Sequence, residues 1–558
     1  MRHGAPGRGR TGWYAGVALA LAACGGGHPA EPGRDARGMH GAVTAGHPLA
    51  AQAGLAVLER GGNAMDAAIT MAAVLSVARP HMNGVGGDMF LLFYEAKTGK
   101  VYGLNASGPA GAGASIAKVE RAHPGDTTMP DIGPLTVSVP GAVRGWAEAL
   151  KRFGTITWQQ ALQPAVELAR SGLPVSQRLS EDITEFQKTV AADSVAARIY
   201  LPDGKPPEPG SLLHQDELAA TLARIQRNGP DEAYTGETGR QTVAYLQQRG
   251  GFLTERDMAD YHPEWVAPIS IDYRGLTVNA MPPNTQGVTF LEELGLLKHI
   301  DLVKLGHNSA DYLHTLAEAI RIAVADRDTS VADPRFMRVS VARLLDPDRL
   351  AGLAQEIDPQ GDAPPRGAPA ADHPNTVYLI VVDRDGNVVS MIESLFAEFG
   401  SGIVVPGTGV VLQNRGSLFS LDPHSPNALA PGKRPYHTLC PTIALNGGKP
   451  WLALGTPGGD GQTHTLLQVL NNIALFGMTP QQAIDAPRMR RMADGTLALE
   501  DRIPADAIEA LQARGYHVSV RTGWTATFGG AQAVLIDPKT GAKRAGADRR
   551  REGYALAY

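Results

Sequence analysis

The sequence predicts an α+β fold compatible with a four-layer αββα sandwich, and three observations carry that reading. The run Thr376-Val377-Tyr378-Leu379-Ile380-Val381-Val382 is apolar on both alternating faces, so the strand it forms must be covered on both sides. Alanine-rich helical patterns at 47–60 and 63–74 present small side chains, which suit close packing against a sheet. Strand signals then recur after residue 376, at 409–412, 442–445, 451–455 and 532–536, with a helical stretch at 463–476 among them.

With 558 residues, 43% of them hydrophobic and 19% charged, the chain can build one large body. A net charge of -5 over this length excludes the basic footprint of a nucleic-acid binder. The 65 glycines and 40 prolines are dispersed among apolar segments, which implies frequent turns instead of collagen or disorder. The 16 histidines fall into no ligand spacing with cysteines or carboxylates, so neither a metal nor a cofactor is expected.

The N-terminus is read separately from the body. Arg2, Arg8 and Arg10 precede an apolar run at 13–23, too short to span a bilayer as a mature helix. That pattern is a secretory signal, and Leu21-Ala22-Ala23-Cys24 resembles a bacterial lipobox. Residues 1–24 are thus expected to export the chain to the periplasm, with Cys24 lipidated and no other membrane attachment. A plain signal peptide with an incidental cysteine is the alternative. Residues 25–40 are small, polar and proline-bearing, a flexible tether, and the folded body is expected from about Gly41. The other cysteine, Cys440, is read as a small core residue.

Taken in order, the body opens with the helix at 47–60, stopped by Gly61-Gly62, and a second helix capped by Asn63. Asn83-Gly84-Val85-Gly86-Gly87-Asp88 feeds a strand at 89–94. Because that loop leads into a strand and not a helix, it is no dinucleotide loop. A strand at 100–104 and a strand-to-helix junction at 137–146 follow. Helices are expected at 158–171, 217–227, 238–249 and 310–327, and a strand pair at 269–273 and 276–281. The stretch 357–371 is rich in Pro, Gly and Ala, either a display loop or a linker. The strand at 376–382, the turn Asp385-Gly386-Asn387 and the strand at 388–392 form a hairpin.

Thr376 sits at the mouth of this first hairpin strand. Were the chain cut before it, an α-amine titrating near about 8 would lie beside its own hydroxyl. The amine could then take the hydroxyl proton and activate the oxygen as a nucleophile. The bland reading is an ordinary β-branched strand residue.

Five ordered motifs tip that balance. Gly61-Gly62-Asn63-Ala64-Met65-Asp66-Ala67-Ala68, Gly84-Val85-Gly86-Gly87-Asp88, Asn375-Thr376 with Val381-Val382-Asp383, Lys433-Arg434-Pro435 with Pro441-Thr442, and Gly455-Thr456-Pro457-Gly458-Gly459 together resemble the gamma-glutamyltranspeptidase family. The resemblance covers 41–558 and implies the sandwich of N-terminal-nucleophile hydrolases. It implies self-cleavage between Asn375 and Thr376 into a large subunit, 41–375, and a small catalytic one, 376–558. Thr376 would be the nucleophile, Ser394 a hydroxyl that orients it, and Gly458 and Gly459 the oxyanion donors. The partners implied are a small-molecule amide and water or an amine acceptor.

Departures from the family pattern concern the acyl group. Asn105 stands where γ-glutamyl enzymes hold the substrate carboxylate with arginine. Arg415 replaces an acid or amide, Leu418 an acid, Phe396 an asparagine, and His437-Thr438 a serine pair. The pocket thus resembles that of relatives acting on other amides, such as glutaryl or cephalosporin acylases and oxamate amidohydrolase. Arg415, His437, Thr438 and Asn105 are the candidate acyl-binding residues, with a structural ion pair as the alternative for Arg415 or His437. Two alternatives stand: a genuine γ-glutamyltransferase or glutathione hydrolase, and a processing-dead scaffold that keeps the fold alone.

Overall fold

Strands of both periodic and fully apolar character build two seven-stranded sheets. They are β1 (Ala36–Gly38), β2 (Ala42–Ala45), β3 (Asp88–Glu95), β4 (Lys100–Ala106), β5 (Glu264–Val266), β6 (Ile269–Tyr273), β7 (Leu276–Ala280), β8 (Asn375–Val382), β9 (Val388–Phe396), β10 (Thr442–Asn446), β11 (Lys449–Gly455), β12 (Gln532–Ile536), β13 (Lys543–Ala547) and β14 (Tyr554–Ala557). One sheet runs β1-β13-β12-β11-β10-β7-β6 and the other β14-β2-β8-β9-β3-β4-β5. The structure, a computed structural model, describes Met1, residues 34–364 and residues 375–558.

Three apolar clusters define the layers. Tyr378, Ile380 and Val382 of β8 meet Ile443, Ala453 and Val534 of the opposite sheet. Val377, Leu379 and Val381, the other face of the same strand, pack with α1 (Pro48–Glu59), α2 (Ala64–Ala78), α3 (Ala142–Phe153) and α4 (Trp158–Ser171). Across the molecule, Val278, Ala444 and Leu454 pack under α5 (Gly287–Leu297), α6 (Ala310–Ser330) and α7 (Gln462–Ala474). Helices, sheet, sheet and helices make the expected four layers, and β8 is covered on both faces as its sequence requires.

Local chemistry fixes the parts that carry the site. Asn63 caps α2, accepting from the N–H groups of Met65 and Asp66, while Asp66 accepts in return from Asn63 N–H at 2.9 Å. All 15 residues of α2 are buried, so its alanines serve close packing on every side. Asp383, at the end of β8, accepts from Ala64 N–H at 2.9 Å and so docks that strand onto the helix. On the inner face the Tyr378 ring lies over Gly455, where a Cβ would stand 2.1 Å from the ring.

The observed elements depart from expectation in several places. Ala36–Gly38, inside the expected tether, is β1 and pairs with β13, so the ordered body starts ahead of Gly41. The strand expected at 409–412 shrinks to Val410–Val411 and pairs only with Val404–Val405, outside both sheets. Helix α5 was not expected: all 11 of its residues are buried, which leaves no polar face to reveal a helical period. The signal segment, Cys24 and the loop stretch beyond 364 lie outside the described residues. Cys440 is a buried free thiol, as read.

Candidate active site

Thr376 sits where the β8–β9 ladder is irregular. Asn375 pairs with Phe396 and Val377 with Glu393, so Ser394 and Leu395 together face the single residue Thr376. The alternation that turns Tyr378 and Ile380 between the sheets turns Thr376 there too. Its Oγ1 lies 2.5 Å from the Asn375 carbonyl oxygen and 3.1 Å from Ser394 Oγ. The Ser394 hydroxyl donates to the same carbonyl oxygen at 3.0 Å and accepts from Phe396 N–H at 2.7 Å.

This arrangement has a chemical meaning. A hydroxyl aimed at the carbonyl of the preceding residue can add to its carbon through a five-membered ring. Ser394 is placed to receive the Thr376 proton while its own hydrogen polarises the carbonyl that must take negative charge.

One strand further on, Asp88 lies directly opposite Ser394 in the ladder between β3 and β9. Asp88 is fully buried and opens a second group, made with His437, Arg415 and Thr438. Its Oδ1 accepts from Gly108 N–H at 3.2 Å, and its Oδ2 lies 3.7 Å from His437 Nε2. Burial pushes the Asp88 carboxyl up to about 7 although Arg415 opposes the rise. Burial, then Arg415 and Arg434, hold His437 well below its usual range, so it is a neutral imidazole. Its ring stands edge-on to Phe90 with centroids 4.9 Å apart.

Arg415 lies on the turn Arg415–Leu418, its guanidinium 4.5 Å over the Phe396 ring, which itself has φ +80 at the ladder irregularity. Nη1 donates to Thr438 Oγ1 at 3.3 Å, while Nε and Nη2 have no hydrogen-bond partner among the described residues. Both ring nitrogens of His437 and Oδ2 of Asp88 are likewise without one. Five orphaned polar atoms in one buried cluster are far from the usual satisfaction of protein interiors. Burial lowers the Arg415 pKa to about 10, which leaves it a cation at neutral pH.

The remaining expected residues are placed differently. Asn105 is engaged at both ends, donating to Asn284 Oδ1 at 2.9 Å and accepting from Ser107 N–H at 3.0 Å. Leu418 lines a cavity of about 320 Å³ with Tyr436 and Asp460, beyond the Arg415 turn. Gly458 has φ +142, open to glycine alone, and opens the turn that follows β11. Pro457, just before it, lines a small cavity with Thr376, and Gly459 carbonyl accepts from Gln286 at 3.1 Å.

Sequence reasoning missed Asp88 and Gln286. Asp88 had a signal, an acid set into an otherwise apolar strand start, but it was read as the end of a glycine turn. Gln286 had none. Its amide donates to Thr438 carbonyl at 2.5 Å as well as to Gly459, and accepts from Tyr436 hydroxyl at 3.1 Å, tying two loops of the site together.

Two sheets between helical layers, with a hydroxyl at a strand's mouth turned between the sheets, define the N-terminal-nucleophile hydrolase class. The chain belongs to the gamma-glutamyltranspeptidase family, whose family model matches residues 50–558, and it is an enzyme of that family. The glutathione hydrolase-like YwrD proenzyme of Bacillus subtilis (strain 168) is 38% identical over 520 residues, 92% of this chain and 98% of that one. The acylase ACY 1 proenzyme of Pseudomonas sp. (strain SE83) is 38% identical over 519 residues, 90% and 91% of the two chains. The crystal structure of cephalosporin acylase from Bacillus halodurans matches with a TM-score of 0.89 at 36% identity, covering 97% of this chain and 99% of that one.

Proposed function

We propose that this chain is the precursor of a self-cleaving amidohydrolase and acyltransferase whose acyl group ends in a carboxylate or carboxamide and is not γ-glutamyl. Thr376 Oγ1 adds to the Asn375 carbonyl carbon, the C–N bond breaks, and the Thr376 nitrogen leaves as an amine. Water resolves the ester, leaving a carboxylate on Asn375 and an α-amine beside the Thr376 hydroxyl. That amine takes the hydroxyl proton in each later turnover. Thr376 is then acylated by the substrate amide, and water or an amine removes the acyl group. Gly458 and Gly459 would stabilise the oxyanion, a contribution of roughly 3 kcal/mol per donor.

The observation that carries the acyl specificity is Arg415: a fully buried cation with a single hydrogen bond and a neutral His437 nearby. Such a guanidinium suits an anionic or carbonyl oxygen and would repel the ammonium of a γ-glutamyl head. The printed name of the Pseudomonas relative, an acylase, agrees with this reading. That of the Bacillus subtilis relative favours a second one, glutathione hydrolysis.

Two measurements test the proposal. Wild-type protein should resolve into two bands on a denaturing gel while Thr376→Ala stays as one, and a single band for both would end the catalytic reading. Turnover of glutaryl or oxamate amides should exceed that of γ-glutamyl-p-nitroanilide. The reverse ranking would hand the specificity to the second reading. Export with a lipid on Cys24 belongs to the same proposal, and Cys24→Ser should move the protein from the membrane to the soluble fraction.

A further inference from the structure

Asn375 is held twice. Its carbonyl meets Ser394, and its side chain Oδ1 accepts a hydrogen bond from Nη1 of Arg551, a residue 176 positions away. Both residues are buried, Asn375 at 1% exposure and Arg551 at 5%. Asn375 Nδ2 has no hydrogen-bond partner, so Arg551 is what anchors this side chain among the described residues. Arg551 also lines the small cavity that Thr376 borders, together with Arg79, Pro457, Gly530 and Gln532. Burial lowers its pKa to about 10, with Glu398 as its foremost counter-charge, so the bond to Asn375 is charge-assisted at neutral pH.

The position of this contact matters for the reaction. Among the described residues the pair Asn375–Phe396 is the last rung of the β8–β9 ladder, so no further rung there fixes the chain on the acyl side of the scissile bond. Addition of a hydroxyl to the preceding carbonyl needs the carbonyl carbon turned toward Oγ1, and a displacement of about 1 Å can cost about a hundredfold in rate. Ser394 holds the carbonyl oxygen. A second point of attachment on the same residue removes the rotation that Ser394 alone would leave.

We infer that Arg551 is the positioning residue of self-cleavage, clamping the Asn375 side chain so that the scissile carbonyl stays against Thr376 Oγ1. The inference rests on the self-cleavage reading above. Arg551 exchanges no proton and touches no reacting atom, so it acts only through Asn375.

The test follows conversion of the full-length precursor into two bands over time, with thermal unfolding run beside it. Arg551→Met should slow cleavage by about tenfold or more, and Arg551→Lys should restore it to within about threefold of wild type. Asn375→Ala should slow it as much as Arg551→Met does. Because one residue acts through the other, the double variant should be no slower than the slower single variant. Wild-type cleavage rates in Arg551→Met, or a double variant slowed by the product of the single effects, would overturn the clamp. Should Arg551→Met fail to fold, Asn375→Ala decides alone: a wild-type rate there sinks the proposal. Wild-type protein that never cleaves would instead bring down the self-cleavage reading itself, and the clamp with it.

Discussion

Arg550 and Arg415 are both buried arginines, yet they spend their donors in opposite ways. Arg550 bonds Glu500 through Nε and Nη2, Asp548 and the Ile484 carbonyl through Nη1, and the Ala486 carbonyl through Nη2. Every N–H of that guanidinium has a protein acceptor. The Arg415 guanidinium has one hydrogen bond among the described residues, to Thr438, and faces an aromatic ring and a carboxyl that burial drives toward neutrality. The desolvation cost is similar in both places, but only Arg550 recovers it inside the protein. A buried charge whose partners are complete holds the fold together, and one whose partners are missing has donors free for the acyl group proposed above.

Substitutions can break that contrast, beginning with the largest effect. Arg550→Met leaves buried Glu500 with Arg502 and buried Asp548 with Arg488 as their remaining cations, and should cost about 3 kcal/mol, seen as a large fall in melting temperature or loss of soluble protein. An unchanged melting temperature would erase the distinction. Arg415→Met should leave the melting temperature level or raise it, since an apolar side chain replaces a charge with one hydrogen bond. The same change should raise KM for a carboxylate-bearing acyl substrate by about tenfold or more, with a smaller effect on kcat. Unfolding without a change in KM would place Arg415 with Arg550.

The last effect concerns Asp88 and depends on pH. Its carboxyl sits at about 7 in the folded protein against an ordinary 3.8, so between those values the native state keeps a proton that the unfolded chain has released. Wild-type stability from this group therefore falls as pH rises from about 4 to about 7 and is level above that. Asp88→Asn removes the slope. It should match wild type near pH 4 and be the more stable protein near pH 8, by thermal unfolding in both buffers. A wild type that gains on Asp88→Asn as pH rises would show the carboxylate to be paired after all.

Strand β8 was legible because its chemistry is local: six consecutive apolar residues, 377–382, demand cover on both faces, and Asp385-Gly386-Asn387 demands a turn. The cap at Asn63 was legible for the same reason. Helix α5 was not, because burial all round erases the amphipathic period by which a helix is read. Nor was Arg551, which in sequence is one of three arginines beside a chain end and in the structure reaches a residue 176 positions earlier. Arg415 lies between. The sequence marks it as an odd cation against the family pattern, while its missing partners are visible only when Asp88, Phe396, His437 and Thr438 are brought together.

The order of strands in the two sheets has a kinetic consequence. Relative to a cut before Thr376, segments from the two sides alternate: β14 with β2, β2 with β8 and β9 with β3 in one sheet, β1 with β13 and β10 with β7 in the other. Neither piece carries a whole sheet, so pulling the pieces apart means dismantling five ladders. The uncut chain finds these pairings within one molecule. Once cut and denatured, the two pieces must find each other by diffusion, so recovery on dilution should fall with protein concentration for the cut form alone. With the cleavage proposed above, the bond before Thr376 would be a single-use tether, needed to assemble the sandwich and dispensable afterwards.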